Sequence, residues 1–281
     1  MDSIRILELA GLQPEYIKEF KEDLQKQCVM IMGLPAAGKS TFINGGNMAK
    51  YVPRMRNYKV TNSDTLLKGL QYKKAKEHFE YLKNNVKTEK ELRDFSKSTT
   101  YKNPWTGQMS MVPITWAWWK HEMDNPNLRT YWNKFFKSYY ATYFDVRDQA
   151  QAGEEKLFHT KIKESGGMLI IDTTGSNIPK AESRFKEAHD EGFNTVVVYL
   201  EIDPELSIAR DEFRKKTEGR GVGEAVILGY AKKIDTAFNS YKQEFNKKDG
   251  YVDRILHFKW SGGSNPKSGT YNLVKDYRKH K

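Results

Sequence analysis

Short apolar runs alternate with amphipathic stretches along most of this chain. Residues 3–26 space their apolar positions as a helix does, and the continuous apolar run Cys28–Met32 follows and ends at Gly33. An uninterrupted apolar run is typical of a parallel strand that is buried on both faces. Four further runs predict strands at Tyr58–Asp64, Met168–Asp172, Thr195–Leu200 and Ile255–Trp260. The alternation predicts an α/β fold in which helices flank a parallel sheet and ligands bind at the carboxyl ends of the strands.

The interval between the second and third predicted strands is far longer than a simple crossover requires. We expect a helical insertion there, over about residues 70–153. This interval holds five of the six tryptophans, and aromatic residues recur every four positions at Trp132, Phe136, Tyr140 and Phe144. Such a row is typical of a buried core, and a platform on which bases stack is the alternative.

Basic residues outnumber acidic ones, with 47 Lys and Arg against 36 Asp and Glu and a formal net charge of +11. Residues 50–103 alone contain fourteen basic and six acidic residues. An excess of this kind favours polyanionic partners. The single cysteine, Cys28, cannot form an internal disulfide, and we identify neither a secretory leader nor a run long enough to span a bilayer. We therefore expect a cytoplasmic protein without a membrane segment.

The sharpest motif is the segment Gly33–Ser40, which matches G-x-x-x-x-G-K-[ST] in full and follows an apolar strand. In such a loop, backbone N–H groups surround phosphate oxygens, Lys39 reaches the β- and γ-phosphates, and the Ser40 hydroxyl binds Mg²⁺. The motif therefore predicts binding of a nucleoside triphosphate. The candidate nucleotide-binding residues are Gly33, Leu34, Pro35, Ala36, Ala37, Gly38, Lys39, Ser40 and Thr41.

A guanine-reading pattern, N-K-x-D, occurs at Asn246–Asp249. That pattern normally ends an apolar strand, whereas residues 240–245 have the polar character of a helix end. We therefore favour ATP over GTP as the nucleotide.

Three further segments give the chain its resemblance to the P-loop kinases that include phage-type polynucleotide kinase and the zeta-toxin kinases. Tyr58–Asp64 is similar to their second strand, Leu169–Thr174 to their third strand, and Ile208–Arg214 with Glu218–Val222 to their arginine-bearing lid. The resemblance covers roughly residues 27–75 and 145–260.

The resemblance implies a role for each matching residue. Asp64 would be the general base, with a helix cap as the alternative. Asp172 would hold an Mg²⁺-bound water or the acceptor, with a turn residue as the alternative. The lid arginines Arg210, Arg214 and Arg220 would stabilise the transferred phosphate, with solvated surface charges as the alternative.

One position departs from the polynucleotide kinases. Leu67 stands where they carry an arginine that holds a nucleic-acid phosphate. Lys68 is the next residue, although on a helix it faces a different direction from Leu67. Lys68, Asp64 and Asp172 are the substrate-binding candidates.

These features together predict an ATP- and Mg²⁺-dependent kinase that phosphorylates a hydroxyl group. The basic insertion and tail favour a nucleic acid as the acceptor, either at a 5′-hydroxyl end or at a hydroxymethylated base. The alternatives are a zeta-toxin-like kinase of a nucleotide sugar and a non-catalytic module that binds nucleic acid in an ATP-dependent way. The expected organisation is an N-terminal helical segment (1–26), a kinase domain (27–260) with its lid at about 207–224, and a basic tail (261–281).

Overall fold

A computed structural model gives the structure of the chain. It describes residues 26–45, 50–52, 58–61, 63–98, 101–102, 109–110, 115–124, 140–164, 167–218, 221–262 and 269–279. The helix predicted over residues 3–26 lies outside these ranges, apart from residue 26. The chain divides into two compact units, of which the first comprises Met1–Thr61 with Phe158–Lys281 and the second comprises Asn62–Leu157.

The described ranges contain eight strands and eight helices. The strands are β1 (Gln27–Gly33), β2 (Tyr58–Thr61), β3 (Tyr101–Lys102), β4 (Met109–Ser110), β5 (Met168–Asp172), β6 (Asn194–Glu201), β7 (Arg254–Ser261) and β8 (Thr270–Arg278). The helices are α1 (Lys39–Asn44), α2 (Ser63–Asn85), α3 (Glu89–Ser98), α4 (Trp116–Asp124), α5 (Tyr140–Glu164), α6 (Ile178–Asp190), α7 (Pro204–Glu218) and α8 (Glu224–Asn246). None of these helices has the length and apolar character that crossing a bilayer requires.

The first unit is built on a six-stranded sheet with the order β2-β5-β1-β6-β7-β8. All neighbouring strands are parallel except β8, which runs antiparallel to β7. Alternate residues of β1 enter two cores, as a strand buried on both faces must. Met30 and Met32 pack in one core with Phe185 of α6, whereas Ile31 packs in the other with Phe42 of α1. The predicted α/β class, a parallel sheet flanked by helices, is confirmed.

Strand β2 is shorter than the sequence pattern predicts. Its pairing with β5 ends at Thr61, opposite Ile171, and α2 begins at Ser63. Asp64 therefore lies in the first turn of a helix and not at the end of a strand. Residues 61–65 are all polar, so the apolar pattern gives no marker for the boundary between strand and helix.

The predicted basic tail, residues 261–281, contains strand β8. Tyr271 and Leu273 alternate along this strand and pack against the core that contains Phe42. Alternation of this kind is typical of a strand with one buried face. The basic residues Lys275, Arg278, Lys279 and Lys281 give the segment the composition of a solvated tail, which conceals the pattern.

The second unit contains the range predicted for the helical insertion. Its described core comprises Phe79, Leu82, Val86, Leu92 and Trp119, and the rings of Phe79 and Trp119 lie 5.4 Å apart. The short antiparallel pair of β3 and β4 lies between α3 and α4 in the chain. The predicted aromatic row lies outside the residues whose side chains are described, so its two interpretations stay open.

Candidate active site

The phosphate-loop motif forms a tight turn between β1 and α1. Ala36 and Gly38 both have positive φ, 59° and 85°, and the Ala37 N–H donates to the Leu34 carbonyl at 3.1 Å. Left-handed residues within a turn bring successive N–H groups to one side, which makes an anion-binding concavity. Ala36 has a side chain, so its conformation costs energy that the surrounding contacts must offset. The local backbone therefore has the geometry that a phosphate-binding loop requires.

Two elements far away in sequence hold the carbonyl groups of this loop. The Ser207 hydroxyl of α7 donates to the Pro35 carbonyl. The Tyr271 hydroxyl of β8 donates to the Ala37 carbonyl at 2.6 Å, and Nη1 of Arg210 donates to the same oxygen at 3.4 Å. The loop is therefore fixed by side chains from outside the motif.

Lys39, the lysine of the motif, lies against the loop itself. Its Nζ donates to the carbonyls of Gly33 and Leu34, at 3.3 Å each. Ser40 and Thr41 follow it in α1, and both are exposed. The motif thus presents an ammonium group and two hydroxyl groups beside the loop's N–H groups, which is the donor set that a nucleotide phosphate requires.

Asp172 lies on the strand next to the phosphate loop. It is the last residue of β5 and pairs in register with Ile31, two residues before the end of β1. The chain beyond it is held by two hydrogen bonds, from the Thr173 N–H to the Ile31 carbonyl at 3.2 Å and from the Tyr241 hydroxyl to the Gly175 carbonyl at 2.7 Å. These bonds hold the backbone around Asp172 at the carboxyl edge of the sheet, where parallel α/β folds bind ligands.

The chemistry of Ser40 and Asp172 fits the magnesium ion that accompanies a nucleotide. Magnesium prefers oxygen ligands, and it is usually held by one or two protein oxygens together with phosphates and water. A serine hydroxyl in α1 and a carboxylate on the adjacent strand meet that requirement. The two predicted metal ligands therefore remain the candidates.

Arg210, one of the three predicted lid arginines, is buried within the fold. Its side chain is 5% exposed, and its guanidinium lies 4.1 Å from the ring centre of Trp260. Burial lowers its pKa, and the hydroxyl of Tyr271 opposes that shift. Among the described residues, its Nε and Nη2 have no hydrogen-bond acceptor. Arg210 is thus packed within the fold, where it supports the loop through the Ala37 carbonyl.

The other two predicted lid arginines have different outcomes. Arg214 lies one helical turn after Arg210 in α7 and is half-buried, whereas Arg220 lies outside the described residues. The carboxylate of Asp211 accepts hydrogen bonds from the N–H groups of Val222 and Gly223, at 2.8 and 2.9 Å. These bonds tie the segment before α8 back to α7.

The predicted base Asp64 and the candidate Lys68 both belong to α2, in the second unit. They are four residues apart, so their backbone positions lie on one side of the helix. Their roles stay predictions.

The guanine-reading pattern follows a helix, as the sequence indicates, and does not end a strand. Asn246 is the last residue of α8, and the next strand begins only at Arg254.

Sequence reasoning missed three side chains of the site: Ser207, Trp260 and Tyr271. Tyr271 could have been found from its alternation with Leu273, which signals a strand. Trp260 ends the strand predicted over Ile255–Trp260, but no local pattern marks it as a partner of Arg210. Nothing in the sequence around Ser207 indicates its contact with the loop.

Comparison with known proteins gives one family match. The sequence model of the zeta toxin family matches residues 138–257, which is less than half of the chain. The search of curated proteins found no match to this chain. The matched range contains Asp172 and Arg210 but not the phosphate loop, so the loop motif is a separate observation. The match supports the zeta-toxin part of the resemblance, whereas the phage-type polynucleotide kinase part stays a prediction.

Two solved structures are similar to the chain at low identity. One comes from a study of the PezAT chromosomal toxin-antitoxin system of Streptococcus pneumoniae; it is 12% identical, with 98% of this chain and 82% of that chain covered and a TM-score of 0.48. The other is the YGR205w protein, which is 10% identical, with 98% and 100% covered and a TM-score of 0.28. Both TM-scores are below 0.5, so the fold assignment rests on the chain's own strand order and register.

Proposed function

We propose that this chain is an ATP-dependent phosphotransferase that transfers the γ-phosphate of ATP to the hydroxyl group of a small molecule. The observation that carries the proposal is the phosphate loop, with its left-handed Ala36 and Gly38, its lysine and the neighbouring Asp172. Enzymatic phosphoryl transfer depends mainly on positioning and on neutralising charge, and these residues supply both.

The proposed reaction is an in-line displacement at the γ-phosphorus. The acceptor oxygen bonds to that phosphorus, the bond to the β,γ-bridging oxygen breaks, and ADP leaves. Asp64 accepts the hydroxyl proton, while Lys39 and the loop N–H groups neutralise the phosphate oxygens. Ser40 and Asp172 would hold Mg²⁺, which supplies charge neutralisation at the phosphates. Arg214 and Arg220 would add cationic donors on the other side of the phosphate. Arg210, which donates to the Ala37 carbonyl, would contribute its charge from the side of the loop.

A nucleotide sugar is the acceptor class that we favour. The zeta toxin model matches residues 138–257. The zeta-toxin kinases, which the chain resembles, phosphorylate nucleotide sugars. Nucleic acid is the second candidate, favoured by exposed basic side chains of α2 such as Lys73 and Lys76. The match gives no support to that second candidate.

A transfer assay with γ-³²P-labelled ATP tests the proposal. The acceptor panel contains nucleotide sugars, single-stranded DNA, RNA and hydroxymethylated duplex DNA. We expect Mg²⁺-dependent labelling of a nucleotide sugar, and we expect Lys39→Ala to lose it while keeping the fold. Binding of ATP without labelling of any acceptor would point to the non-catalytic alternative. Labelling of a polynucleotide alone would overturn the favoured acceptor.

A further inference from the structure

We propose that Tyr271 and Ser207 are positioning residues of the phosphate loop: by holding two loop carbonyls, they aim the N–H groups that bind the nucleotide's phosphates. This inference rests on the proposed function only in that the loop binds a nucleoside triphosphate. Neither residue belongs to the loop motif, and β8, which carries Tyr271, lies beyond the residues matched by the zeta toxin model.

The geometry of the peptide bond links each carbonyl to an N–H group. In a trans peptide the C=O and the following N–H point in opposite directions. The described chain contains no cis peptide bond. Because Tyr271 holds the Ala37 carbonyl, it turns the Gly38 N–H away from β8. Ser207 acts in the same way on the Ala36 N–H through the Pro35 carbonyl.

The two residues that receive this orientation are those with positive φ. Ala36 at 59° and Gly38 at 85° both occupy the left-handed region, which is strained for alanine. A hydrogen bond to the peptide next to each residue opposes relaxation to a more common conformation. The hydrogen bonds from Tyr271 and Ser207, which we call clamps, therefore maintain the part of the loop that would rearrange most easily.

Tyr271 is itself held firmly enough to act as a clamp. It pairs in register with Trp260 of β7, and its ring meets Trp260 and Phe42 edge to face, with centroids 5.2 and 5.7 Å away. Burial raises the pKa of its phenol, against the opposing effect of Arg210, so the hydroxyl stays protonated and donates throughout the physiological pH range. Ser207 is fully buried in α7.

The test measures binding of Mg·ATP and of tripolyphosphate by calorimetry, below the melting temperature of every variant. Tyr271→Phe keeps the ring contacts and removes only the hydroxyl. We expect it to bind both ligands about fivefold to tenfold more weakly, in line with the loss of one hydrogen bond. Ser207→Ala should have a similar effect. The matched control is Tyr277→Phe on the same strand, whose ring packs against Phe245 and which should bind both ligands like the wild type.

The outcomes separate this inference from the proposed function. If the wild type binds neither ligand, both the proposed nucleotide binding and this inference are refuted. If the wild type binds both and Tyr271→Phe binds them equally well, the clamp is refuted while the proposed function stands. A lower melting temperature with unchanged affinity would also refute it, because that is the signature of a purely structural role. Should Tyr271→Phe not fold, Ser207→Ala decides the question by the same criteria.

Discussion

Asp64 is the single residue on which the proposed chemistry depends most directly. Asp64→Asn keeps the size of the side chain but cannot accept a proton. We expect kcat to fall by roughly 10²–10⁴-fold, while the affinity for ATP changes little. The measurement is steady-state transfer to the preferred acceptor, together with calorimetric binding of ATP.

A helix-terminal role for Asp64 predicts a different result. The residue lies in the first turn of α2, where a negative charge stabilises the helix by about 0.3–1 kcal/mol. If that were its only role, Asp64→Asn would lower the melting temperature and leave kcat unchanged. The matched control is Glu80→Gln, which removes one exposed negative charge from the same helix and should leave kcat at the wild-type value.

Some residues of the site follow from sequence alone, and others do not. The loop from Gly33 to Ser40 does, because its conformation is dictated locally by glycine spacing after an apolar strand. Tyr271 lies 234 positions from the carbonyl that it contacts, and Ser207 lies 172 positions from its own. Contacts at such separations depend on the strand order, which the alternation of elements does not specify. Arg210 belongs partly to each group. Its place in the chain is typical of a lid arginine, whereas its contact with Trp260 could not be predicted from the sequence.

Strand β8 is held to the sheet by an ion pair as well as by its hydrogen-bond ladder. Arg254 of β7 donates from Nε and Nη2 to the two oxygens of Asp276, at 2.9 and 2.7 Å, and from Nη1 to the Tyr51 carbonyl at 2.7 Å. Burial alone would raise the pKa of the Asp276 carboxyl. The hydrogen bonds and charges of Arg254 and Arg278 outweigh burial, so this pKa lies below its usual value. The pair therefore stabilises the strand most when Asp276 is ionised.

This arrangement predicts a pH-dependent effect of Asp276→Asn. A carboxyl whose pKa is lower in the folded state stabilises the protein above its unfolded pKa, about 3.9 for aspartate, and loses that contribution as the pH falls through the folded pKa. We expect the variant to be about 2 kcal/mol less stable than the wild type at pH 7, with the difference shrinking below about pH 4. Urea unfolding at both pH values measures it. The exposed Asp249→Asn is the control and should show little difference at either pH.

The same strand shows why an element can escape a sequence analysis. Its partly buried residues Tyr271 and Leu273 alternate with exposed ones, but Lys275, Arg278 and Lys279 make the segment as basic as a solvated tail. A shift in register between His257 and Phe258 of β7 further blurs the periodicity of the pair. The central strands β1 and β6 carry no such conflict, because burial on both faces leaves them continuously apolar.

At the scale of the whole molecule, the net charge of +11 bears on the choice of acceptor. Positive charge attracts every polyanion, so it raises affinity for nucleic acid without indicating a reaction. Part of the charge on α2 is also paired within the helix. Lys73 lies 3.9 Å from Glu77, and both side chains are mostly exposed. The basic surface is therefore weak support for a polynucleotide substrate, and the salt dependence of transfer is a sharper criterion.

The last prediction concerns this salt dependence. A nucleotide sugar has no condensed layer of counterions, so we expect KM for the acceptor to change little between 50 and about 200 mM salt. Replacing Lys73 and Lys76 by Gln should leave that KM unchanged, as should the matched pair Lys232→Gln and Lys233→Gln on α8 of the first unit, whose side chains are also exposed. A single-stranded nucleic acid behaves differently, because the logarithm of its affinity falls with the logarithm of salt by about 0.7 per phosphate contact. A slope corresponding to several contacts would contradict the prediction. If that slope becomes shallower in the Lys73 and Lys76 variant but not in the Lys232 and Lys233 control, α2 is a polynucleotide-binding surface.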